Sequence, residues 1–61
     1  MKAANLSRVQ RSLALSKEAR RKIEQIKFES LSMRESELRS LVYDKFQELE
    51  WALTDLYNIG K

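Results

Sequence analysis

Residues 31–60, LSMRESELRSLVYDKFQELEWALTDLYNIG, decide the fold. Ser32 is followed three residues later by Glu35 and preceded by Leu31. That is the spacing of a capping box, in which a serine hydroxyl and a glutamate carboxylate satisfy each other's backbone N–H groups at a helix start. Downstream, Leu38, Leu41, Val42, Phe46, Leu49, Ala52, Leu53 and Leu56 fall on one side of a helix, and Ile59 extends the row. A stripe this wide is what a bundle helix turns toward a core. The pattern predicts a helix over about 33–58, with Gly60 as a stop signal just beyond it.

Working back toward the start, the Leu-Ser pair recurs at Leu6-Ser7 and Leu15-Ser16. Ser7 has Gln10 three residues on, which again matches a capping box. Ser16 has only the cap half of the signal, with Glu18 placed to favour the positive end of a helix dipole. Apolar residues form one stripe at Leu6, Val9 and Leu13 and a second at Leu15, Ala19, Ile23 and Ile26, rotated by roughly a third of a turn. Either a short N-terminal helix ends near Leu13 and another begins after Ser16, or one helix runs over about 3–30 and meets different neighbours at its two ends. Residues 13–17 contain no Gly, Pro or Asn to force a break near 14–16, which favours the continuous helix. The turn is expected at about 30–32, and so short a connection makes the two segments antiparallel neighbours.

The expected fold is therefore all-α: a single helical domain over 1–61, built as an antiparallel hairpin with a possible short extra N-terminal helix. Pro is absent and the one Gly is at position 60, so the turn formers of an all-β chain are missing. A chain of 61 residues buries only about 60% of its unfolded surface, and such domains lean on staples or partners. Cys and His are both absent, which removes disulfides and the usual zinc site. Two helices alone leave a thin core open on its outer side. This predicts a homodimer closing as a four-helix bundle, or docking onto another helical protein.

Charge divides with the hairpin. Residues 1–30 carry eight basic and three acidic side chains, a net +5, and residues 31–61 carry four basic and six acidic ones, a net −2. Opposite signs on neighbouring helices help set their pairing. The densest basic group is Lys17, Arg20, Arg21, Lys22 and Lys27, a candidate for phosphate binding. On a helical wheel these five scatter rather than align, as in a solvated collar whose aliphatic stems cover the core edge.

Four residues stand out as interface candidates. Lys45 falls within the apolar stripe, where a lone charge is costly unless it reaches water or a partner carboxylate, and where a polar group can fix register. Glu24 is a possible mate if the register allows. Trp51 lies away from the stripe with Met33 at a similar angle, and Tyr43 is on the other flank. Trp, Tyr and Met are favoured at interfaces. Phe28, near the turn, reads as a cover for the hairpin end.

Catalytic chemistry has little to work with. No imidazole or thiol is available, a Gly-rich phosphate loop cannot be made, and the nine carboxylates show no metal-loop spacing. The expectation is a protein that is not an enzyme and uses no cofactor, metal or small-molecule substrate. It would be a regulatory or adaptor protein acting through helix-mediated protein–protein binding. The alternatives are a nucleic-acid-binding regulator using its basic first helix and a structural assembly module. No apolar run reaches the ~20 residues of a transmembrane helix. The start lacks the apolar core of a signal peptide, so a cytoplasmic location is expected.

Overall fold

A computed structural model describes all residues from Met1 to Lys61. Helix α1 spans Ala3–Glu24, a 3₁₀ turn spans Phe28–Ser30, and helix α2 spans Met33–Gly60. The helices lie antiparallel in a rod of 45 × 15 × 10 Å. Two cross-helix hydrogen bonds fix the register: Gln10 Nε2 donates to Tyr57 Oη at 3.1 Å, and Tyr43 Oη donates to Glu24 Oε1 at 3.0 Å.

The capping box at Ser32 forms on both sides. Ser32 Oγ accepts from Glu35 N at 3.2 Å, and Glu35 Oε1 accepts from Ser32 N at 2.8 Å. The carboxyl of Glu35 is held below the usual glutamate range, first by the backbone N–H of Ser32 and then by its hydroxyl.

Ser7 and Ser16 cap nothing. Both lie inside α1, which begins after Lys2 without a side-chain cap and passes unbroken through residues 14–16. No extra N-terminal helix forms. The first helix differs from expectation at its other end, stopping at Glu24 rather than near residue 30. The cause is a contact from α2. Arg39 Nε donates to Ile26 O at 2.9 Å and Arg39 Nη2 to Glu24 O at 3.4 Å, so a cation caps the carbonyl end of α1. Phe28 lies 4.3 Å under the Arg39 guanidinium, and Lys27 turns extended. Gly60 also differs: it is the last residue of α2 and has no left-handed backbone.

The surface joining the helices is narrow and mixed. From α1 it takes Leu6, Val9, Leu13, Ser16, Ala19, Arg20 and Ile23; from α2 it takes Ser36, Arg39, Tyr43, Phe46, Gln47, Glu50, Leu53, Tyr57 and Gly60. Apart from Ala19 and Gln47 at its flanks, both sets step by alternating threes and fours, the spacing of a coiled-coil seam. Only Val9, Ser16 and Glu50 are buried. Arg20 Nε lies 3.0 Å from Glu50 Oε2, although its N–H does not point along that line, so the contact is an ion pair rather than an aligned hydrogen bond. The Ser16 hydroxyl has no partner.

Candidate interaction surface

The seam of α2 does not coincide with its apolar stripe. On a helix turning about 100° per residue, the packed residues centre roughly a quarter turn away from Leu38, Val42, Leu49 and Leu56. The stripe therefore opens sideways instead of into the hairpin. α1 shows the same displacement: Leu6, Val9 and Leu13 enter the seam, while Leu15 and Ile26 stay outside.

The two displaced stripes meet on one side. Ile23 and Ile26 of α1 share a shallow cavity with Leu31, Leu38 and Val42. Farther along, Leu41, Val42, Phe46 and Leu49 line a second apolar hollow together with Lys45. Leu15, Ile26, Leu38, Leu41, Val42, Leu49 and Leu56 are each between 42% and 52% exposed, so this part of the face is half-covered, while Ile59 at its end is 85% exposed. On α2 the row Leu38, Val42, Lys45, Leu49, Ala52, Leu56 and Ile59 repeats the alternation of threes and fours, a second seam on one helix with one charge inside it.

The molecule is correspondingly open. A compact monomer of 7.2 kDa should expose about 4,100 Å², and this hairpin exposes 4890 Å². Its radius of gyration is 14.5 Å, against about 10.5 Å for a compact domain of this length.

The residues singled out from sequence do not form one site. Lys45 lies in the apolar face, its ammonium 3.5 Å from Glu48 Oε2 and both side chains well exposed. Glu24 is not its mate and pairs with Tyr43 in the seam. Trp51 is 68% exposed on the opposite edge, where a polar groove joins it to Lys17, Arg20, Gln47, Glu50 and Thr54. Met33, 82% exposed, stands at the start of α2. Of the basic group, Arg20 enters the seam against Glu50, with Tyr43 6.0 Å from its guanidinium. Lys17, Arg21, Lys22 and Lys27 are exposed and form no ion pair within the chain. Leu15 and Ile26, members of the second apolar stripe of the first helix, belong to the face; their angular match to the α2 stripe is visible only once the helices are placed side by side.

No helix is long and apolar enough to cross a membrane. In comparison with known proteins, the chain matches no family model, no curated protein and no solved structure.

Proposed function

We propose that this hairpin is a non-catalytic protein-binding module that completes its own core by pairing with a second copy, apolar face to apolar face, as a four-helix bundle. One observation carries the reading: α1 and α2 pack through a mixed polar seam and leave their apolar stripes side by side and about half exposed. The surface in excess of a compact monomer is roughly 800 Å², about what each partner contributes to a standard interface. Regulation or scaffolding by such a module works through occupancy, with the paired hairpins presenting their outer faces, including Trp51, to further partners.

Sedimentation equilibrium tests the pairing. The wild type should show twice the 7.2 kDa chain mass across the micromolar range. Leu49→Asp, at the middle of the face, should return the chain to monomer mass and lower its helix content. A wild-type chain that stays at 7.2 kDa and melts cooperatively would refute the proposal.

A second reading rests on the exposed Lys17, Arg21, Lys22 and Lys27, with Trp51 beside Lys17 as a stacking surface. Binding of nucleic acid through these residues would weaken steeply with salt. Titration of duplex DNA and single-stranded RNA at two salt concentrations decides it; no binding at low salt removes this reading.

A further inference from the structure

The charges bordering the apolar face point to how the two copies are oriented. Along its outer edge α2 carries Asp44, Glu48 and Asp55, and along the outer edge of α1 stand Arg11 and Lys22 with Glu18 between them, itself exposed and in no ion pair. Arg11, Lys22, Asp44 and Asp55 are exposed and take part in no ion pair within the chain, whose pairs are Arg20–Glu50, Arg34–Glu37 and Lys45–Glu48. The register set by Gln10–Tyr57 and Glu24–Tyr43 places Arg11 level with Leu56 and Lys22 level with Lys45. Each unpaired cation thus lies one residue step from the level of an unpaired carboxylate, Arg11 by Asp55 and Lys22 by Asp44. Within one hairpin they cannot meet, because they lie on opposite outer edges of the face.

Two symmetric ways of closing the face exist. With the two-fold axis running along the helices, α2 of each copy lies on α1 of the other and both turns sit at the same end. With the axis running across the helices, α1 lies on α1, α2 lies on α2, and the turns sit at opposite ends. The first arrangement sets Asp55 against Arg11 and Asp44 against Lys22 of the second copy, twice each; it also brings Glu18 level with Leu49, one step from Glu48, whose charge Lys45 already offsets within its own chain. The second lets Lys45 approach Glu48 of the second copy, but it stacks one acidic edge of α2 on the other, while the α1 edges, mixed through Glu18, do not discriminate. Like charges brought together across an interface select against an arrangement even when the apolar contact is equally good. Resting on the paired-hairpin reading above, we infer that the second copy docks with its turn at the same end, α2 upon α1, held in register by Arg11–Asp55 and Lys22–Asp44 pairs between copies.

A single nitroxide label at Glu29→Cys, an exposed turn position with no hydrogen-bonded or ionic side-chain partner, reads the orientation by pulsed electron spin resonance. With both turns at one end the two labels should lie within about 25 Å, given helix spacings of about 10 Å plus the label arms. With the turns at opposite ends they should be separated by nearly the length of the 45 Å rod. Sedimentation of the same labelled protein keeps the two ideas separable. Monomer mass would overturn the pairing itself, whereas dimer mass with the long distance would overturn only the orientation. Charge reversal gives an independent check. Arg11→Glu should weaken the dimer by about tenfold, and adding Asp55→Lys in the same chain should restore it, since each copy then offers the swapped charges to the other. If Asp55→Lys fails to rescue, the pairing of these residues between copies is wrong.

Discussion

Ser16 and Arg20 show what the hairpin's own seam tolerates. The Ser16 hydroxyl is buried without a partner, an arrangement that costs free energy and is kept in a helix interior where alanine is the better helix former. Ser16→Ala should therefore raise stability by about 0.5–1 kcal/mol, read as a higher melting temperature by circular dichroism. Arg20 and Glu50 form an ion pair with Glu50 buried and Arg20 about a quarter exposed. Arg20→Met alone strands the carboxylate and should cost roughly 2 kcal/mol, while Arg20→Met together with Glu50→Leu should recover most of that loss. A double variant no more stable than the single one would mean that the pair contributes through some other contact. Serine at a helix start is recognisable in sequence, but which serine caps is not. Ser32 works because Glu35 closes the box and the chain turns there, whereas Ser7, with Gln10 at the same spacing, lies within a helix that had already begun.

Each helix is bounded by a different kind of force. α2 starts with a local signal, the Ser32–Glu35 box, which depends only on neighbours in sequence. Ser32→Ala should cost about 1 kcal/mol and fray the first turn of α2. The lowered pKa of Glu35 sets the sign of the pH effect. A carboxyl whose folded value lies below its unfolded value contributes stability that is present above the unfolded value and is lost as pH falls through the folded one. Helix content should thus decline from just below the ordinary glutamate range, about 4.3, downward. Glu35→Gln should flatten that part of the acid titration. α1 ends by a distant signal: Arg39 reaches back to the carbonyls of Glu24 and Ile26 and rests on Phe28. Arg39→Ala should cost about 1–2 kcal/mol and raise amide exchange over residues 24–28, measurable by hydrogen–deuterium exchange. Nothing between Glu24 and Ser30 breaks a helix by composition, which is why sequence periodicity carried α1 too far.

At the scale of the whole molecule, the rod is elongated and exposes a long apolar flank interrupted only by Lys45, the condition under which association does what a larger chain would do by folding on itself. The proposed pairing along that flank would make stability depend on concentration. The melting temperature of the wild type should rise with protein concentration, and that of Leu49→Asp should not. A concentration-independent melting curve for the wild type would contradict the paired reading.

Sequence alone determined that the chain is helical, that it divides near Ser32, and that α2 carries a long apolar row interrupted by Lys45. Each of these follows from spacing and local hydrogen-bonding chemistry, which any short segment expresses by itself. Only the tertiary structure decided that α1 stops at Glu24, that Trp51 faces a polar groove, and that the two apolar rows lie side by side rather than face to face. Those outcomes depend on how one helix is rotated about its axis against the other. That rotation is set by contacts between residues far apart in sequence, among them Tyr43–Glu24, Gln10–Tyr57 and Arg20–Glu50, which hold a polar seam inside and turn the apolar rows toward the flank.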